Sequence, residues 1–453
     1  MSRPTIERED ASRAQRGASA ITFPPRFLWG TATSSHQVEG AQTQSDWAAW
    51  EARTGRIHGG DRAGRACEWW AGRAEEDFAR ARTMGHSAIR LSLEWSRLEP
   101  RPGVFDEGAF DRYARLLEKA RELGLTTMVG LNHFTLPYWL AVRGSWLAED
   151  APDRFARYAD RCARRLGDLV PLWTTLNEPS VLALMGYVGT AWPPGRGNPA
   201  LGMKALRAQL VAHGAAFHAV HDARPDAQVG LVINMPALDP FDPSSVRDRA
   251  VAAAQDWAFN GVVLDALAHA RFRFPLALRE ERAPILRVSG GPALDFVGLN
   301  YYGRYRVRFD ARHPGELFGR RDARDTVHTD SNDWGEIHPE GLTRQLLRLS
   351  RTFPRLPLYV TENGMFDPTD TRRPSYLVSH VRAVHDAIAQ GADVRGYFVW
   401  SLLDNFEWAE GWSTPFGLLA LDRATQARTA RRSADVYSAI CRANGVSDAM
   451  EVR

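Results

Sequence analysis

Two carboxylates stand where strand-like runs stop. Leu358-Tyr359-Val360-Thr361 is apolar and β-branched, reads as a buried strand, and ends at Glu362 followed by the turn pair Asn363-Gly364. Leu172-Trp173-Thr174-Thr175-Leu176-Asn177 ends in the same way at Glu178-Pro179. Taken singly, Glu178 also reads as a helix-start acid and Glu362 as a turn acid. Paired at two strand ends, they can flank one bond, with one carboxyl protonating a leaving oxygen while the other stays ionised.

The elements that would hold them alternate. Strand-like segments fall at 27–33, 87–95, 126–133, 172–178, 228–235, 296–302, 357–362 and 396–403, and helical patterns at 71–84, 110–123, 152–166, 204–223, 246–270, 340–351 and 374–390. Such alternation implies parallel strands joined by helical crossovers, and eight units close into a single (β/α)8 TIM barrel, an α/β fold. Side chains at the C-terminal strand ends of a barrel face one mouth. The chain has 453 residues, well above the ~250 of a typical barrel, so long βα loops are expected. The Pro/Gly-rich 191–199 and the polar 310–333 are the obvious ones. Residues 1–20 are polar and Arg-rich and read as a disordered tail ahead of a catalytic barrel over 21–453.

Composition narrows the function classes. The formal charge is +3, Lys occurs only at 119 and 204, and Arg is scattered among acids, which argues against a nucleic-acid footprint. Cys67, Cys162 and Cys441 are odd in number and widely spaced, which argues against structural disulfides and zinc fingers. His213, His218 and His221 do not repeat the i, i+4 pairing of a zinc helix and read as packing or surface residues. No metal site is expected. No signal-like apolar segment opens the chain, and no run approaches the ~18 apolar residues of a membrane span. The expected setting is cytoplasmic, with oligomeric state open.

At least six strand ends carry polar or aromatic groups: Gln37, Arg90, His133, Asn177 with Glu178, Asn300 with Tyr302, Glu362, and the run Trp400 to Trp408 that includes Glu407. Polar groups for hydroxyls and flat aromatics for C–H faces are what a polyhydroxylated ring needs. The 15 Trp residues fit the same reading. Most serve as packing, while Trp400 and Trp408 stand at the last strand end.

Thr175-Leu176-Asn177-Glu178-Pro179 and Val360-Thr361-Glu362-Asn363-Gly364 resemble the paired signatures of family 1 glycoside hydrolases, the β-glucosidase family. Supporting matches run from Phe27-Leu28-Trp29-Gly30-Thr31-Ala32-Thr33 to Phe416-Gly417-Leu418. The resemblance implies a (β/α)8 barrel and retaining hydrolysis of terminal β-D-glucosyl residues, with β-galactoside and β-fucoside side activities and no cofactor. It implies Glu178 as general acid/base and Glu362 as nucleophile. Gln37, His133, Asn177, Glu407 and Trp408 would hold the sugar hydroxyls over a Trp400 floor. Tyr302 and Arg90 would support Glu362, with Asn300 and Phe416 in supporting positions. A retaining site needs its carboxyls about 5–5.5 Å apart. The partner expected is a small β-glycoside or short oligosaccharide.

Departures fall on the aglycone side. Ser180 stands where Trp often follows Asn-Glu-Pro, and Trp334-Gly335-Glu336 reverses the family's usual Gly-Trp order. Thr135 and Pro415 replace common Asp and Arg without removing a reacting group. The alternatives are a 6-phospho-β-glycosidase or transglycosylase on the same barrel, and a catalytically silent sugar-binding barrel.

Overall fold

Eight parallel strands close into a barrel in the computed structural model, which describes residues 20–273, 280–322, 326–328, 333–447 and 450. Apart from Ala20, the tail expected over 1–20 lies outside the described residues. The strands are β1 Leu28–Ala32, β2 Ala88–Ser92, β3 Thr126–Asn132, β4 Leu172–Asn177, β5 Gln228–Asn234, β6 Phe296–Tyr301, β7 Leu358–Asn363 and β8 Val394–Trp400. Each overlaps one of the eight segments expected. Each pairs in parallel with the next, and β8 closes on β1 with Gly396 opposite Leu28 and Trp400 opposite Ala32.

The helices pack outside: α1 Ala74–Thr83, α2 Glu107–Glu122, α3 Ala151–Leu166, α4 Pro199–Ala223, α5 Val246–Asp256, α6 Val262–His269, α7 Pro339–Thr352, α8 Arg373–Ala389 and α9 Arg432–Ala443. Their starts are written locally. The Asp106 carboxylate caps α2 at the Ala109 amide, 3.0 Å away, and Asn198 caps α4 ahead of Pro199. Helix α3 turns Phe155, Tyr158, Ala159, Cys162 and Leu166 inward, the spacing of one helical face.

Two cores result. One lies between strands and helices; the other fills the barrel with Met128, Leu172, Phe296, Tyr359 and Phe398. Gly30 and Gly230 make room for the large rings, since a Cβ on either would meet Phe398 or Phe296 within 3 Å. The barrel is tied at its β1/β8 seam by α9, whose Tyr437 hydroxyl donates to the Gly30 carbonyl at 2.7 Å and accepts from the Gly30 amide at 3.1 Å. Below the seam, Ile21–Thr22 pairs antiparallel with Gly445–Val446, and the Trp29 indole donates to Asn444 Oδ1 at 2.9 Å.

Three expectations are corrected. The helix expected over 246–270 is two helices separated by a π-helical turn, Trp257–Gly261. The helix expected from 71 begins with another such turn, Trp69–Arg73, containing Gly72 at φ 112°. The 310–333 loop, where described, contributes to a small sheet rather than to irregular chain. Arg304–Phe309 pairs with Gly319–Asp322 and Asp333–Glu336, and with Ala237–Pro240 that follows β5. Residues 323–325 and 329–332 of that stretch lie outside the described residues. Cys67, Cys162 and Cys441 are buried free thiols. Among the described residues no helix is long and apolar enough to cross a membrane.

Candidate active site

The C-terminal strand ends converge on a cavity of about 160 Å³, lined among others by His133, Asn177, Glu178, Tyr302, Glu362, Trp400, Glu407 and Trp408. The ladder register slips where the acids emerge: between Thr174 and Asn177 on β4, Leu299 and Asn300 on β6, and Val360 and Asn363 on β7. Such irregularities re-aim side chains at strand ends. Glu178 itself sits at φ 48°, ψ 60°, a left-handed conformation costing a side-chain-bearing residue on the order of 1 kcal/mol. It precedes the one-turn helix Pro179–Leu182 but its side chain makes no capping bond. The carboxylate is turned to the pocket.

Glu362 is buried and has both oxygens engaged. Arg90 Nη1 donates to Oε1 at 2.5 Å and the Tyr302 hydroxyl to Oε2 at 2.7 Å. Burial, and next the Glu362 charge, hold the Tyr302 phenol well above its usual range, so it remains a donor. A buried guanidinium and a phenol thus hold both oxygens of one carboxylate.

Glu178 is treated oppositely. Burial, and next the negative charge of Glu362, push its carboxyl up to about 8. Asn300 Nδ2, 2.6 Å away, and Asn234 Nδ2, 2.9 Å away, both donate to the same oxygen, Oε1. Two N–H donors on Oε1 leave Oε2 to carry the proton.

Asn177 joins the two acids through amides. Arg90 Nη2 donates to Asn177 Oδ1 at 2.7 Å, which fixes the amide orientation because guanidinium only donates, and Asn300 adds a second bond at 3.2 Å. The Asn177 N–H therefore points to His133 Nε2 at 3.1 Å. Burial, and next Arg90, keep His133 far below its ordinary value and neutral, able to accept that bond. Asn300 in turn accepts from Thr361 Oγ1 at 2.7 Å. Each strand end orients the next.

The opposite wall is aromatic. The His133 ring stacks near Trp400 and Trp408, with centroids 5.9 and 6.0 Å apart. Burial, and next Glu362, push Glu407 up to about 8, and it accepts from Gln37 Nε2 at 3.1 Å. Gln37 is fully buried behind Glu407, with its amide also held by Ser34 and Asn405, and does not line the cavity. Phe416 is likewise behind the wall, against Tyr302 and Trp334. Arg90 and Asn300 sit beneath the surface as supports.

Asn234 and Trp192 also line the cavity, beyond the residues expected from sequence. Asn234 ends β5, so the strand-end rule that found the others also reaches it. His213, His218 and His221 go to separate partners: Thr175, the Ile285 carbonyl and Asp295. Among the described residues no His/Cys/Asp/Glu group could hold a metal.

A family model, glycosyl hydrolase family 1, matches residues 19–446. Beta-glucosidase A of Thermotoga maritima is 32% identical over 452 residues, 94% of this chain and 99% of that protein. A bifunctional beta-D-glucosidase/beta-D-fucosidase of Bifidobacterium breve is 34% identical over 92% of this chain and 97% of its own length. A solved beta-glycosidase from Pyrococcus horikoshii superposes with TM-score 0.86 at 35% identity, covering 95% of this chain and 97% of that one.

Proposed function

Because the chain belongs to glycosyl hydrolase family 1, we propose that it removes terminal non-reducing β-D-glucosyl residues with retention of configuration. The observation that carries this reading is the opposed treatment of two acids in one cavity. Glu362 is held by Arg90 and Tyr302, while Glu178 keeps its proton to about pH 8. The sugar lies on Trp400 and Trp408, with Glu407, His133 and Asn177 toward its hydroxyls and Gln37 holding Glu407 in place. Glu362 attacks the anomeric carbon as Glu178 gives its proton to the departing oxygen, and a glycosyl ester forms.

Esterification removes the Glu362 charge, a named cause of the raised Glu178 value, and so favours the ionised Glu178. Glu178 then takes a proton from water, whose oxygen attacks the same carbon and frees Glu362. The named activities of the relatives support β-galactoside and β-fucoside turnover as side activities. The family match across 19–446 supports residues 21–453 acting as one catalytic unit, and the three buried free thiols support a reducing, cytoplasmic setting. The test is hydrolysis of nitrophenyl β-D-glucoside followed by NMR. β-Glucose as first product is expected. α-Glucose would replace retention with inversion, and no turnover would leave a sugar-binding barrel.

A further inference from the structure

Glu94, two positions beyond β2, is a fully buried acid that the chemistry above does not use. Its two oxygens accept from hydroxyls on three neighbouring segments of the barrel mouth. Oε2 takes Ser35 Oγ at 3.1 Å, from the one-turn helix after β1, and Thr135 Oγ1 at 3.0 Å, from the turn after β3. Oε1 takes Ser96 Oγ at 2.7 Å and the Ser96 amide at 3.3 Å, from the segment after β2. Ser35, Ser96 and Thr135 are buried as well. Arg97, three positions on, gives its guanidinium to Glu39 and the Gly40 carbonyl. Burying an acid among neutral donors costs stability that an apolar side chain of the same size would not, so the position points to a task.

The turn after β3 shows what that task is. Phe134 sits at φ 71°, a left-handed conformation that disfavours residues with a side chain and persists where the surroundings hold it. Inside the turn, Asn132 Nδ2 donates to the Thr135 carbonyl at 2.7 Å and the Thr135 amide to the His133 carbonyl at 2.9 Å. The Thr135 hydroxyl on Glu94 anchors the turn to its neighbours. From this turn His133 and Phe134 enter the cavity, His133 beside Trp400 and Trp408, and Phe134 with its ring centroid 5.2 Å from that of Trp408. We propose that Glu94 is a positioning residue: by gathering the segments after β1, β2 and β3 onto one acid, it sets the turn from which His133 meets a sugar hydroxyl. This rests on the β-glucosidase reading and adds to it the group that aims His133.

Thr135→Val exchanges the hydroxyl for a methyl of the same shape and leaves Glu94 in place. On nitrophenyl β-D-glucoside it is expected to lower kcat/KM by about 10- to 100-fold, the cost of a small displacement of a positioned group. Thr135→Ser, which keeps the hydroxyl, is expected to recover most of that loss. The 2-, 3-, 4- and 6-deoxy forms of the substrate, each compared between variant and unmodified protein, supply a readout that a general loss of structure would not give. The form lacking the hydroxyl that His133 meets has already forfeited that contact, so Thr135→Val should slow it by no more than about twofold while the other forms fall with the parent. Glu94→Gln, where it folds, should repeat the pattern. Unchanged kcat/KM in Thr135→Val, or an equal loss on all five substrates, overturns the proposal with the β-glucosidase reading intact. Absence of turnover by the unmodified protein counts against that reading instead. Calorimetry with nitrophenyl β-D-thioglucoside then decides without catalysis. Weaker binding to Thr135→Val than to the unmodified protein and Thr135→Ser upholds the proposal, and equal or undetectable binding overturns it.

Discussion

At the floor of the pocket, Glu362, Glu178, Asn177 and Asn300 are each held by a partner on another barrel strand, whereas the outer wall is made of π-helical turns and an added sheet with apolar side chains. The floor is polar and pre-set, so what happens there is decided by protons. The wall is apolar and shaped by irregular backbone, so what it can contribute is fit. The difference teaches that reaction type and substrate choice are written in separate parts of this molecule and can be broken separately.

The largest expected effect is on the floor. Glu362→Ala removes the proposed nucleophile and should lower turnover on the order of 10⁵–10⁶-fold, the scale seen when a nucleophile is deleted. Azide should restore activity by attacking the vacated face, giving an α-glycosyl azide that NMR identifies. A β-azide, or near-normal activity without azide, would exclude Glu362 from that role.

Next comes Glu178→Ala, expected to slow glycosylation of alkyl glucosides by about 10²–10⁴-fold and that of nitrophenyl glucosides far less, because good leaving groups need little protonation. Equal losses on both would mean another group is the acid. Glu178 is protonated below about pH 8, so kcat/KM should hold steady approaching that value and fall above it. In Glu178→Ala that alkaline limb should vanish for nitrophenyl substrates; its persistence would assign the titration elsewhere.

Smaller again is the discrimination set at Glu407. A 6-phosphate brings nearly two negative charges into a buried site where burial and the Glu362 charge already push the Glu407 carboxyl up to about 8, and residues 409–421 contain no Lys or Arg. Nitrophenyl β-glucoside should exceed its 6-phosphate by at least ~10²-fold in kcat/KM, and equal or reversed efficiencies would reassign the sugar. The smallest effect belongs to the wall. Trp334, packed on Phe366 and Phe416 with centroids 6.0 and 5.5 Å away, is expected on replacement by Ala to cost under ~10-fold in kcat/KM for aryl glucosides, the scale of one aromatic contact. A loss as large as that of Glu178→Ala would erase the division between floor and wall.

This division also explains what could be read in advance. Glu178 and Glu362 were legible because buried β-branched runs end abruptly at an acid and a turn signal, a pattern with few other uses. Asn234 obeys the same rule and could have been found by applying it to β5. Trp192 could not, since it comes from a Pro/Gly-rich loop with no periodicity. The added sheet is written in the sequence too: Arg304-Tyr305-Arg306-Val307-Arg308-Phe309 alternates with period two. The π turn at Trp257–Gly261 is illegible by pattern, because one extra residue in a turn barely disturbs the apolar spacing on either side.

The seam between β1 and β8 bears on how the chain acquires its form. Gly30 and Tyr437 are 407 positions apart and Trp29 and Asn444 are 415, so the seam joins the two ends of the barrel's sequence. Loop entropy opposes such closure until the intervening strands have already assembled. Closure of the seam is therefore expected after the other seven seams form, and pulsed hydrogen exchange during refolding should find the Gly30 amide among the last protected; early protection would place the seam in the nucleus. Until it shuts, β1 and β8 present unpaired edges to other chains. The longer closure takes, the longer those edges stay open to pairing between chains during synthesis.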